Sequence, residues 1–346
     1  MTSTQTHPLE TTLQGELLSH AQGTFIGANQ IELFYQSWYP ASGEAVVEGH
    51  TARCDAVSAG SLKNSPEAPL STGEASSASQ SAQSNGRIKG VLAIVHGLGE
   101  HSGRYCSIVN AAVSEGYAVF GFDNQGHGQS EGQRGHINRW QDYRDNVQAF
   151  LQLVRQQEPN APLCVMGHSM GGLIVLDYVL RCAQTARFKA LNISRLIVSA
   201  PPMKPTKTNP LKAILARLLS GFFPRFTLKM CLDEGGLSRD RQVESQTQKD
   251  PLVHSYVTLR WGAEAISTIA WVKQHVGELK LPIMLTHGSA DPIIDPVGST
   301  DLFKAISAPE KTLRIYPGSY HEPHNDLDSS AVTKDIVGWL DQIAEA

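Results

Sequence analysis

The chain has 346 residues, 41% apolar and 18% charged, with 30 Gly and 18 Pro, which supports a sizeable globular core and excludes a fibrous or wholly disordered chain. Its 29 basic and 33 acidic residues leave a net charge of −4, so no basic excess draws the whole molecule onto nucleic acid or anionic lipid. Residues 1–20 carry Glu10 and Glu16 and no apolar run of secretory-signal length, and the longest aliphatic run, Val91 to Val95, is far too short to span a bilayer. The expectation is a soluble, cytoplasmic protein. Its five cysteines (Cys54, Cys106, Cys164, Cys182, Cys231) are odd in number and never spaced C-x-x-C, and they read as reduced packing thiols rather than a disulfide framework or zinc site.

After an N-terminal tail over 1–22, residues Thr24 to Tyr39 predict two strands around Gly27-Ala28-Asn29, a β-hairpin. Residues 41–89 follow, where 26 of 49 residues are Ser, Ala, Gly or Pro and none is aromatic. Such a stretch cannot bury enough apolar area to offset its ordering entropy and reads as a disordered insertion. Beyond it, aliphatic runs at Val91 to Val95, Ala118 to Phe122, Leu163 to Met166, Leu196 to Val198, Ile283 to Thr286 and Leu313 to Tyr316 alternate with helical segments. That alternation predicts βαβ units and a mainly parallel sheet. Trp140, Tyr143, Val147, Phe150, Leu151 and Val154 fall on one helix face, as do Val332, Ile336, Leu340 and Ile343 near the C-terminus. The alternation breaks over residues 201–280, which read as helices and loops with no convincing strand. The expected organisation is therefore an α/β core from 23–40, 90–200 and 281–346, with a helical cap inserted at 201–280.

The pattern G-x-S-x-G occurs twice, around Ser130 (Gly128 to Gly132) and around Ser169 (Gly167 to Gly171). Only Ser169 has the strand before it, Leu163 to Met166, and the helix after it, Leu173 to Leu180, that a nucleophile elbow requires. Ser130 lies among Gly126, Gly128, Gly132 and Gly135, which read as a loop. A serine nucleophile needs a histidine base, oriented by a carboxylate. In this architecture they follow in the order Ser, acid, His. Asp291 follows the strand ending near Gly288, and His321 follows the strand ending near Tyr316; both lie at carboxyl ends of strands, where open α/β sheets place their sites. Asp295 and Asp301 are rival acids, and His287 and His324 rival bases. The developing oxyanion needs two N–H donors: Met170 after the nucleophile, and Leu98 in the loop that follows Val91 to Val95. His321-x-x-His324 lacks the companion ligands of a zinc site. Gly97-x-Gly99 fails as a dinucleotide loop because Ser102 stands where the third glycine is required. No cofactor or metal is expected.

Taken together, His96-Gly-Leu-Gly-Glu-His-Ser-Gly-Arg-Tyr105, Asp123-Asn-Gln-Gly-His-Gly-Gln-Ser130, Gly167-His-Ser-Met-Gly-Gly172, Gly288-Ser-Ala-Asp291 and Tyr316-Pro-Gly-Ser-Tyr-His321 resemble the monoacylglycerol lipase and lysophospholipase branch of the α/β-hydrolases, also called the serine aminopeptidase family. The resemblance covers residues 23–345 apart from the insertion. It implies the α/β-hydrolase fold and a fatty acid monoester as substrate, cleaved by Ser169, Asp291 and His321. It also carries over Glu100, Arg104 and His324 as contacts to the alcohol. The chain departs from the family's lipases in one place: Thr247 stands where they have a tyrosine three residues before Asp250-Pro251-Leu252. A lysophospholipase, a broad short-chain carboxylesterase and a catalytically silent binding fold are the alternatives. In the cap, Leu211, Ile214, Leu215, Leu218, Leu219 and Phe222 share one helix face, which either packs over the acyl pocket or makes peripheral membrane contact through residues 210–224.

Overall fold

The computed structural model describes residues 18–40, 88–206, 218–230 and 235–344. The predicted insertion and the first half of the predicted cap helix lie outside these residues, apart from Ile88 and Lys89, which lead into the sheet. An eight-stranded sheet forms the centre, in the order β1-β2-β4-β3-β5-β6-β9-β10. Strands β1 (Leu18–Ile26) and β2 (Glu32–Pro40) form an antiparallel hairpin, and β2 pairs antiparallel with β4 (Tyr117–Phe122). The remaining pairings, among β3 (Gly90–Val95), β4, β5 (Leu163–His168), β6 (Ile193–Ser199), β9 (Ile283–Gly288) and β10 (Lys311–Tyr316), are parallel.

The near-continuous aliphatic runs are explained by burial on both faces of the sheet. In β3, Val91, Ala93 and Val95 join one core layer, and Leu92 and Ile94 the other. The first layer is closed by α2 (Trp140–Gln157) and α3 (Met170–Cys182). All six residues of the predicted α2 face are buried there. The second layer is closed by α1 (Cys106–Ser114) and the C-terminal helix, whose Val332, Ile336 and Leu340 are buried. Short helix α4 (Ala186–Ala190) leads into β6.

The structure moves several expectations. Strand β1 begins at Leu18, inside the stretch read as a tail; its polar positions face solvent at the sheet edge, so burial leaves little mark on them. The cap segment contains a three-residue antiparallel ribbon, β7 (Thr227–Lys229) with β8 (Tyr256–Thr258), too short to impose a period on the sequence. It also contains α5 (Arg241–Lys249). Helix α6 (Leu259–His275), included in the predicted cap, packs on the core: Ala265 and Val272 join the first layer, and the Trp261 indole N–H donates to Tyr143 Oη at 3.2 Å. The sequence shows that α6 has an apolar face but not which layer that face meets. Helices α7 (Val297–Ala305) and α8 (Ser329–Ala344) follow β9 and β10. Cys164 and Cys182 are free, whereas Cys106 is disulfide-bonded, which corrects the reading of all five cysteines as reduced thiols.

Candidate active site

The tight turn between β5 and α3 carries Ser169 at φ 50° and ψ −117°, a backbone conformation that costs a non-glycine residue about 1–3 kcal/mol. The flanking glycines make the turn possible by leaving space. A Cβ on Gly167 would run into the Gly171 carbonyl, and one on Gly171 into the carbonyls of Val95 and His96. The turn is pinned by Ser169 N–H, which donates to Ser199 O at 2.8 Å.

Two further strand ends deliver the partners. His321 Nδ1 donates to Asp291 Oδ2 at 2.6 Å, and Ser169 Oγ–H donates to His321 Nε2 at 2.9 Å. A carboxylate can only accept, so the hydrogen on Nδ1 is fixed and the Nε2 lone pair is left for the serine. Burial alone would raise the Asp291 pKa, but the neighbouring His321 and hydrogen bonds from His287, His321 and Ile294 N–H hold it well below the usual carboxylate range. For His321, burial would lower the pKa, but the charge and hydrogen bond of Asp291, with Glu322 and Glu100 nearby, raise it above 6.5. The rival acids lie elsewhere: Asp295 pairs with Lys204 at 2.7 Å, and Asp301 with Lys304 on α7.

The other serine motif is structural. Ser130 Oγ–H donates to Asp123 O at 2.5 Å and accepts Phe34 N–H at 2.9 Å, so it ties the loop to β2. Asp123 accepts from Ser102 N–H, Ser102 Oγ–H and Gln129 N–H, so it too is committed to holding the loops together.

Opposite Ser169 lies the loop after β3. Glu100 Oε1 accepts Gly97 N–H at 2.5 Å and Tyr105 O–H at 2.9 Å, fixing the peptide that precedes Leu98 N–H. Met170 opens α3, so its N–H has no partner within the helix. A small cavity lies over Ser169 and His321 and is lined by Leu98, Glu100 and Arg104 of this loop. Arg104 is clamped: Nη2 donates to Glu322 Oε2 at 2.6 Å, Nη1 to Thr247 Oγ1 at 2.5 Å, and Nε faces Glu100 Oε2 at 3.5 Å. Burial and the Glu322 carboxylate push the Glu100 carboxyl upward, whereas Arg104 holds Glu322 low against its own burial.

Of the three expected alcohol contacts, the structure therefore brings Glu100 and Arg104 to the cavity wall but not His324. That ring is fully buried behind the wall, stacked on Tyr105 at 5.0 Å and edge-on to His168, and burial lowers its pKa to about 4. Three residues of separation from His321 did not translate into a shared surface, because a 3-10 turn at Pro323–Asn325 carries His324 away. Sequence reasoning missed Glu322, whose only signal was adjacency to His321. It also missed Leu237, Val253 and His254, which reach the cavity from the cap without any motif. The cap is tied to the loop by His254 N–H, which donates to Gly99 O at 2.8 Å, and by His101 Nε2, 2.9 Å from Asp250 Oδ2.

Residues 86–328 match the family described as Serine aminopeptidase, S33. The chain belongs to this family. It is 30% identical to monoglyceride lipase of Mus musculus over 259 residues, 74% of this chain and 84% of that one. It is 29% identical to Phospholipase YtpA of Bacillus subtilis over 255 residues, 73% of this chain and 95% of that one. Its fold matches the crystal structure of Paleococcus ferrophilus monoacylglycerol lipase with a TM-score of 0.67 at 30% identity, covering 74% of this chain and 95% of that one. The mainly parallel sheet with flanking helices is thus an α/β-hydrolase fold.

Proposed function

We propose that the protein is a serine hydrolase of monoacyl lipid esters, like the monoacylglycerol lipases it resembles. The observation that carries the reading is the unbroken hydrogen-bond chain from Ser169 through His321 to Asp291 beneath a cavity. Ser169 Oγ attacks the ester carbonyl carbon and its proton passes to His321 Nε2. The oxyanion is held by the N–H groups of Leu98 and Met170. Collapse expels the alcohol, which takes the proton from His321. Water then attacks the acyl-enzyme with His321 as base and releases the fatty acid. Glu100 and Arg104 stand at the alcohol end of the cavity. The test is competition of active-site labelling by monoacylglycerols: a monoacylglycerol competes best if the reading is right, and failure of every monoacyl lipid to compete overturns it.

A lysophospholipase is the second reading, supported by the likeness to the Bacillus phospholipase. Arg104 at the alcohol end is already paired with Glu322 and faces Glu100, so it offers no unpaired charge to an anionic phosphate, which favours the neutral glycerol ester.

Peripheral membrane contact by the cap belongs to the same proposal. Leu218 is 65% exposed and Phe222 82%; Phe223, Phe226 and Leu228 are also exposed, beside Arg225 and Lys229. An apolar patch rimmed by basic residues suits the interface of an anionic bilayer. No helix among the described residues is long and apolar enough to cross one. Replacing Phe222 and Phe223 by serine lowers sedimentation with anionic vesicles by about tenfold or more, while turnover of a water-soluble ester is unchanged. Equal sedimentation of both proteins removes the membrane reading.

A further inference from the structure

His287 takes no part in the mechanism above, yet it is fully buried one layer behind the acid. It lies in β9, four residues before Asp291. Its Nε2 is 3.0 Å from Asp291 Oδ2 and 3.1 Å from Ile294 O; its Nδ1 is 2.7 Å from Ser299 Oγ on α7. An ionised carboxylate and a backbone carbonyl can only accept, so Nε2 carries the hydrogen and shares it between them. Ser299 O–H then donates to Nδ1. The Asp291 carboxylate consequently has four donors: Ile293 N–H at 2.8 Å and Ile294 N–H at 3.0 Å on Oδ1, with His321 and His287 on Oδ2.

We infer that His287, held by Ser299, is a positioning residue for the catalytic acid: it fixes Oδ2 of Asp291 in the direction of His321 and withdraws negative charge from that oxygen. The two backbone donors hold Oδ1; His287 is the donor that holds Oδ2 beside His321, and its loss leaves that side of the planar carboxylate to His321 alone. The second donor on Oδ2 also weakens its pull on His321 Nδ1–H and so moderates the basicity of the imidazole. No bond is made or broken at His287, and its proton stays on Nε2 throughout. A histidine that merely fills space would need neither the N–H aimed at the acid nor the serine that orders the opposite nitrogen.

The inference rests on Ser169, His321 and Asp291 being the catalytic set, so it is tested only after wild-type protein is shown to take a fluorophosphonate label that Ser169→Ala loses. Absence of that label is failure of the functional reading, separate from the outcomes that follow. The measurement is the pH profile of kcat and kcat/KM for a soluble ester in three variants. Glu100, Arg104, His168, Glu322 and His324 around His321, and His168 and Asp295 facing His287, are the same in all of them. His287→Leu removes the donor at similar volume and lowers kcat by about 10- to 100-fold with little change in KM. Its acid limb moves to higher pH, because a carboxylate relieved of one donor holds the imidazolium more strongly. His287→Gln keeps an amide N–H within reach of Asp291, and restores most of the rate and the original limb. Ser299→Ala, small enough to fold, loosens the imidazole without removing it and shifts the limb in the same direction by less. An unshifted limb in the leucine variant, or in Ser299→Ala alone if the leucine variant does not fold, overturns the inference; so does a folded His287→Gln as slow as His287→Leu.

Discussion

The two G-x-S-x-G segments share a pattern and use it in opposite ways. In the loop around Ser130 the glycines carry the unusual backbone: Gly126, Gly128, Gly132 and Gly135 all have positive φ, and the serine has an ordinary conformation with both sides of its hydroxyl committed to the main chain. Around Ser169 the roles reverse. The serine takes the strained φ of 50°, the glycines at 167 and 171 supply clearance, and the hydroxyl points to a base instead of the backbone. A pentapeptide motif thus reports a tight turn. Whether the turn stores strain on the serine, as a catalytic elbow does, is decided by the strand before it and the helix after it.

The comparison can be broken by substitution. Ser169→Ala lowers turnover by about six orders of magnitude, measured against wild type under saturating ester, with the fold intact by circular dichroism. Asp291→Asn follows with a loss of about four orders, since it removes the acceptor that fixes the His321 tautomer; a loss below tenfold would assign the acid elsewhere. Gly171→Ala forces a Cβ into two backbone carbonyls, costs about 1–3 kcal/mol in denaturant unfolding, and reduces labelling of Ser169 at the same time. Ser130→Ala leaves Phe34 N–H without its acceptor and costs a similar 1–3 kcal/mol, but turnover of the folded protein is unchanged. A turnover loss matching that of Ser169→Ala would erase the distinction between the two segments.

The pH dependence sharpens the same contrast. His321 must be neutral to accept the serine proton, and Asp291 stabilises its charged form, raising its pKa above 6.5. Wild-type kcat/KM therefore rises with pH through a midpoint above 6.5, and Ser130→Ala keeps that midpoint.

Much of this was readable from the chain because burial writes strongly on sequence. The aliphatic runs located β3 to β6 and β9, since strands covered on both faces contain little else, and the α2 stripe emerged complete because its whole face is buried; β10, a partly exposed edge strand, showed through Leu313, Ile315 and Tyr316. That Ser169, Asp291 and His321 meet was legible through their places at strand ends. What escaped depended on tertiary contact. The edge strand β1 is exposed over most of its length, and β7 and β8 are three residues long. Helix α6 shows its apolar face without naming its partner layer. Thr247, noted only as a departure from the lipases, turns out to hold Arg104, and His324, expected at the alcohol, is turned inward by the 3-10 turn after His321. His287 was visible only as a rival base; that it serves the acid follows from which way its nitrogens point.

The most direct test is covalent labelling with a fluorophosphonate, applied to wild type, Ser169→Ala and Ser130→Ala and read by intact mass. The account predicts one adduct per chain in wild type and Ser130→Ala, and none in Ser169→Ala. A label that persists in Ser169→Ala, or disappears in Ser130→Ala while the protein remains folded, would contradict it.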